Sequence, residues 1–158
     1  MPFSGSAQSP EPKPARELAL SRAECLSLLA EHEFGRVVLA APEEGTPIIR
    51  PVNYRFDERS QSVVFRSGRG SKFYALTNAS RACFEIDECD PGARVAWSVI
   101  IAGMTERVTQ AHEIGRLDHL GLEGWAPGPK PHWIRIRART VSGRRIVLPP
   151  LPAGDTAR

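Results

Sequence analysis

Apolar residues in this chain recur mostly at every second position, in short runs broken by Gly, Pro and acidic turns. A period of two marks half-buried strands. Arg36 to Ala41 is a first strand, β-branched and apolar. Thr46 to Phe56 is a second. Its Ile48, Val52 and Tyr54 share one face with Arg50, while Ile49, Pro51, Asn53 and Arg55 share the other. Pro51 cannot donate to a ladder, so it marks an edge or a bulge. An amide in mid-strand, Asn53, needs partners, either at a bulge or on a ligand. Gln61 to Phe65 and Ala82 to Asp87 are further strands, and Asp87 to Arg94 reads as a polar loop. Val95 to Val108 is long, with Trp97, Val99 and Ile101 on one face and Ser98, Ile100 and Ala102 on the other. Gly103 suggests a bulge or kink within it. Trp133 to Arg139 sets His132, Ile134, Ile136 and Ala138 on a buried face and Trp133, Arg135 and Arg137 on an outer one. Val141 to Val147 closes the series.

Helical spacing appears in three places. Ser21-Arg22-Ala23-Glu24 is a capping-box pattern, followed by Cys25, Leu28 and Leu29 on one face. This helix should end before Gly35. Ser71 to Asn78 reads as a short helix, and Ala111 to Gly121 as another. Turns fall at Pro42 to Gly45 and Asp57 to Ser60, and Gly124 to Pro129 is a rigid connector. Strands and helices do not alternate. The pattern therefore predicts a mainly β fold, an antiparallel barrel of about six or seven strands with two or three peripheral helices.

Composition adds boundaries. A length of 158 residues with 41% hydrophobic content suits a single domain. Residues 1–17 read as a flexible tail, 18–148 as the domain and 149–158 as a second tail. No run is long and apolar enough to span a membrane. The three cysteines, Cys25, Cys83 and Cys89, are odd in number and fit no disulfide framework, which points to free thiols in a cytoplasmic protein. The net charge of +3 is weak evidence for an anionic partner.

Charge matters more where it is concentrated. Phe65-Arg66-Ser67-Gly68-Arg69-Gly70-Ser71-Lys72 places three cations and two hydroxyls on a Gly-rich turn between a strand and a helix. Such turns converge N–H donors, and phosphate binds where donors converge. The same spacing also suits a solvated turn, and it matches neither the Walker A nor the dinucleotide glycine pattern. His112 and His119 are too far apart for a helical metal pair. There is no Ser–His–Asp set and no carboxylate pair, so the catalytic residues are unknown.

In this order and spacing, Gly35-Arg36-Val37, Arg50-Pro51-Val52-Asn53-Tyr54, Phe65-Arg66-Ser67-Gly68 with Lys72, Trp97-Ser98-Val99, Trp125-Ala126-Pro127-Gly128 and His132-Trp133-Ile134-Arg135-Ile136 resemble one family. It is the pyridoxamine 5'-phosphate oxidase-like family of FMN-binding split β-barrels, in a small actinobacterial-type branch related to nitroimidazole-resistance proteins. The resemblance covers roughly Leu18 to Leu148. It implies a cytoplasmic homodimer with flavin at the subunit interface, the flavin phosphate on Phe65, Arg66, Ser67, Gly68, Ser71 and Lys72. It implies that the ring lies against Arg50, Pro51, Val52, Asn53 and Tyr54, with Trp97, Ser98, Trp133 and Arg135 close by. One departure bears on activity. The oxidases end in an Arg-x-His element that grips the vitamin phosphate, whereas this chain reads Arg135-Ile136-Arg137 with no later histidine. The resemblance therefore implies a flavin-dependent oxidoreductase on another small molecule. Related barrels use the deazaflavin F420, for which Arg50, Arg55, Arg69 and Arg135 could line a groove. A non-catalytic flavin or haem carrier is a further alternative, with His32, His112, His119 and His132 as the available imidazoles. Only Trp133, Arg135 and Arg137 interleave aromatic and cation, too little for a nucleic-acid surface.

Overall fold

The computed structural model describes residues 14–39, 46–68 and 80–151. The described elements are β1 (Arg16–Ala19), α1 (Arg22–Glu31), β2 (Phe34–Leu39), β3 (Ile48–Asp57), β4 (Ser62–Ser67), β5 (Arg81–Asp90), β6 (Val95–Arg107), α2 (Ala111–Asp118), β7 (His132–Arg137) and β8 (Thr140–Val147). All strand pairs are antiparallel. The order β6-β5-β2-β3-β4-β7 closes on itself because the end of β6 also pairs with β7, giving a six-stranded barrel. β8 and then β1 extend the sheet from the first part of β6.

Two positions make closure possible. β6 pairs with β8 up to Ala102 and with β7 from Thr105, and Gly103 sits at this change of partner. A Cβ there would overlap the carbonyl oxygen of Arg137. Pro51 lies opposite Arg36, on a stretch of β3 paired with β2 alone, so its missing N–H costs no ladder bond. The barrel interior is filled by inward residues that include Val37, Tyr54, Phe65, Phe84, Ile101 and Ile134, all with no exposed surface. α1 begins with the capping box, Ser21 N–H donating to Glu24 at 2.8 Å. It packs Cys25 and Leu29 into the same core.

The mainly β barrel of six strands is as expected, and β8 and β1 are additional strands beside it. Several expectations need correction. β1 begins inside the stretch read as a tail. It has four exposed residues, too few and too polar to show periodicity, and it forms only because β8 offers an edge. β5 runs on to Asp90, because β6 pairs with it from Val95 onwards. The polar loop there shrinks to a turn. α2 stops at Asp118, before a left-handed Gly121 at φ +63°. Trp133 and Arg135 do not form an exposed face. Each is 2% exposed, because α2 covers the outer side of β4 and β7, where Trp133, Val64, Val108 and Leu117 form a second core. The Ser71 to Asn78 helix and the Pro42 to Gly45 turn lie outside the described residues.

Candidate functional site

The barrel splits at one pair. β3 and β4 are paired from Asp57↔Ser62 to Tyr54↔Phe65 and no further. Beyond it β3 follows β2, while Arg66 and Ser67 of β4 follow β7. Between the diverging ends lies an open cavity of about 700 Å³. Arg50, Pro51, Val52 and Asn53 form one wall, and Arg66, Ser67 and Gly68 the opposite one. The chain from Leu122 to Lys130 lies across it.

That crossing segment is held by identifiable bonds. Arg55 donates to the carbonyls of Leu120 at 3.1 Å and Gly121 at 2.8 Å. The Trp125 N–H donates to Asn53 Oδ1 at 3.0 Å, and Lys130 Nζ donates to the Ala126 carbonyl at 2.8 Å. The Trp125 ring stacks on Phe34 with centroids 6.0 Å apart, yet remains 74% exposed. Asn53 thus has a definite task, anchoring this segment to the open edge of β3.

Arg66 is held from two sides. Its guanidinium pairs with Asp118 at the end of α2 and lies 4.6 Å over the Trp133 ring. Asp118 also accepts the Trp133 Nε1–H at 2.8 Å. That hydrogen bond, with the Arg66 charge, holds the Asp118 carboxyl below its ordinary value. The Arg66 Nε–H is buried and has no hydrogen-bond partner among the described residues. Arg50 is exposed and donates to the Ile49 carbonyl at 3.2 Å.

The sequence-derived residues separate into groups. Arg50, Pro51, Val52, Asn53, Arg66, Ser67 and Gly68 meet at the cavity. Tyr54 and Phe65 form the last pair before the split, but both side chains point inward with no exposed surface. Tyr54 donates its hydroxyl to the Leu29 carbonyl at 2.8 Å, and burial pushes its pKa well up. Trp133 lies beneath Arg66 rather than on the wall. Arg135 is removed from this cavity and bound by Glu113 at 3.0 Å and Glu106 at 2.9 Å. Trp97 and Ser98 belong to the part of β6 between β5 and β8, where the Trp97 ring meets the edge of His32 at 4.8 Å. They do not line the cavity of a single chain. Ser71 and Lys72 lie outside the described residues. The sequence reading left out Phe34, Asp118 and Lys130 as site residues. Trp125 had a signal: a large aromatic in a Gly/Pro connector has no core to enter.

Carboxylates around α2 set the acid behaviour. Asp57, 3% exposed, is disfavoured by burial, but bonds from Arg116 at 2.7 and 2.8 Å and from Ser60 bring its pKa below the ordinary value. Arg135 lowers Glu113 in the same direction. A depressed folded pKa contributes stability that is complete above the unfolded value, about 4, and is lost as pH falls through the folded value. Urea midpoints should therefore stay flat from neutral pH to about 5 and drop below about 4. Asp57→Asn should lower the neutral midpoint and flatten that acid limb. An unchanged limb would remove Asp57 from the account.

Three comparisons bear on this geometry. A family model described as pyridoxamine 5'-phosphate oxidase matches residues 21–145. An uncharacterised Mycobacterium tuberculosis protein is 31% identical over 86% of this chain and 90% of its own length. The structure of the FAD binding protein from Mycobacterium smegmatis is 29% identical, with a TM-score of 0.68 over 80% of this chain and 96% of that one. A Corynebacterium diphtheriae protein of unknown function is 32% identical, with a TM-score of 0.70 over 83% of this chain and 98% of that one.

Proposed function

The chain belongs to the pyridoxamine 5'-phosphate oxidase family, and from that premise we propose that it binds a flavin nucleotide in the split of the barrel and works as a flavin-dependent oxidoreductase. The observation that carries this reading is the Arg66 Nε–H, a buried donor without a partner among the described residues, on an arginine that walls a cavity of about 700 Å³. Leaving such a donor unmade is costly, and a phosphate oxygen would satisfy it. Arg66, with Ser67, Gly68, Ser71 and Lys72, is assigned to the flavin phosphate. The unpaired edge of β3 from Arg50 to Asn53 offers backbone donors and acceptors to the polar edge of the ring. Trp125 and Phe34 supply an apolar, aromatic side. When bound, the flavin supplies the redox chemistry, and the chain binds and orients it and limits access of water. FMN is the assigned form. The relative from Mycobacterium smegmatis is an FAD binding protein, so FAD is tested beside it.

The substrate is a small molecule other than pyridoxamine 5'-phosphate. Arg135, which stands in the place of the oxidases' arginine, is 2% exposed and already engaged by two glutamates. It is not free to grip a substrate phosphate. The absorption spectrum of the purified protein tests the cofactor. Two bands in the near-ultraviolet and visible support flavin, whereas a single deazaflavin band or a Soret band would replace this reading with F420 or haem.

A homodimer fits the outer face of the sheet. The register aligns Ile49, Val38, Cys83 and Ala102 in one row across β3, β2, β5 and β6, with Ile100 and Met104 beside it. Ile49 is 54% exposed and Ile100 43%, a patch that association would cover. Ile49 adjoins Arg50, so this surface reaches the cavity. Light scattering should give twice the chain mass at micromolar concentration, and a monomer mass would overturn the dimer. No helix among the described residues is long and apolar enough to cross a membrane. The cysteines, each without a disulfide, fit a cytoplasmic location.

A further inference from the structure

The segment between α2 and β7 crosses the cavity at the split, and its own bonds divide it into parts. At its start Arg55 holds the carbonyls of Leu120 and Gly121, and Leu122 packs partly buried against the second core. From Glu123 to Pro129 every residue is exposed and none belongs to a helix or strand. The later half is stiff in itself. Pro127 and Pro129 fix their own φ angles, and Lys130 Nζ closes the turn onto the Ala126 carbonyl at 2.8 Å. Gly121, at φ +63° with nothing within 4 Å of an added Cβ, lies where the held part ends.

Across the split the segment rests on both walls. On the β4 side, a Cβ on Gly68 would stand 3.0 Å from the Pro129 carbonyl oxygen, a close approach that the glycine permits. On the β3 side two contacts come from one place, because Asn53 and Phe34 are register partners. Asn53 Oδ1 accepts the Trp125 N–H at 3.0 Å, and the Phe34 and Trp125 rings stack at 6.0 Å and 16°. Among the described residues no backbone–backbone hydrogen bond joins 123–129 to the barrel. One exposed hydrogen bond and one aromatic stack are weak restraints, open to thermal release. Trp125 is 74% exposed, so its release gives up little buried apolar surface.

We propose that residues 123–129 form a strap that opens at the Asn53–Trp125 contact, with the Arg55 clamp as its fixed end, and that flavin enters and leaves the split through this opening. The ring position proposed above uses both the β3 edge and the Trp125 side chain, the two surfaces this contact joins. What passes through the opening rests on the flavin reading, whereas the opening itself does not.

Two measurements test it. The first needs no flavin: amide hydrogen exchange of the flavin-free, isotopically labelled protein. The Trp125 amide should exchange faster than those of Phe84 and Ile101 in the barrel wall, because it opens without the barrel. Asn53→Ala should raise the Trp125 rate about fivefold, the loss of one hydrogen bond, and leave the Phe84 and Ile101 rates unmoved. Phe34→Ala, which removes the stack and keeps the bond, should also raise it. Asn53→Asp keeps an acceptor and should stay near the parent. The second is stopped-flow binding of FMN, followed by flavin emission. Asn53→Ala should raise the association and dissociation rates together, each about fivefold, because a gate acts on entry and exit alike. A Trp125 amide that exchanges no faster than the barrel's, or at the parent rate in both alanine variants, would overturn the strap. So would an Asn53→Ala variant with faster dissociation and unchanged association, the mark of a lost ligand contact. Failure of FMN to bind at all contradicts the flavin reading instead, and the exchange rates then decide the strap by themselves.

Discussion

Arg66→Gln should weaken FMN binding by roughly ten- to a hundredfold, because a charge-assisted hydrogen bond to a phosphate dianion contributes about 1.5–3 kcal/mol. The structure gives the reason this arginine matters. Its position over Trp133 and its pairing with Asp118 fix the guanidinium before the ligand arrives, so little ordering remains to oppose binding. Riboflavin, which has no phosphate, should lose much less. The comparison separates a phosphate contact from general damage to the cavity. The flavin-free variant should melt within a few degrees of the parent, since the ion pair it loses is half-exposed and contributes little on its own. Lys72→Ala should show the same selectivity. Equal weakening of FMN and riboflavin, with an intact fold, would show that Arg66 does not hold the phosphate.

Gly103→Ala should destabilise the protein by about 3 kcal/mol or more, because the added methyl meets backbone rather than a movable side chain. The overlapping atom is the Arg137 carbonyl oxygen, at the seam where the strand beside β6 changes from β8 to β7. Relief requires the strands that close the barrel to move apart. The melting temperature should fall by about 10 °C for a chain of this size. Gly115→Ala is the contrasting substitution. It lies in α2 with nothing within 4 Å of the added Cβ, so it should be neutral or stabilise by up to about 1 kcal/mol. Equal melting temperatures for the Gly103 and Gly115 variants would contradict the role given to the seam.

The barrel was legible because its evidence is local. Period-two patterning in β3 and β6, the Ser21–Glu24 capping box and the edge mark of Pro51 all act through neighbours in sequence. The wall residues Arg50 to Asn53 and Arg66 to Gly68 were legible for the same reason, each being a short run with unusual chemistry for a strand or turn. What escaped depends on contacts made across the chain. Trp133 and Arg135 alternate like an exposed face, and nothing in that run shows that α2 will cover it. Asp118 reads as the solvated end of a short helix, and its importance comes from Arg66, fifty-two positions earlier. β1 exists only as a partner for β8. Tyr54 belongs to the right run and faces the opposite way, since successive strand side chains alternate.

The most direct measurement is a fluorescence titration of FMN, and in parallel FAD, with the flavin-free protein. The account predicts saturable quenching or shift of flavin emission with one flavin per chain, at a concentration of micromolar order or below. It further predicts that inorganic phosphate at high concentration competes with FMN and does not compete with riboflavin. Absence of saturable binding of either nucleotide by a folded protein would contradict the assignment of the split between β3 and β4 as a flavin site.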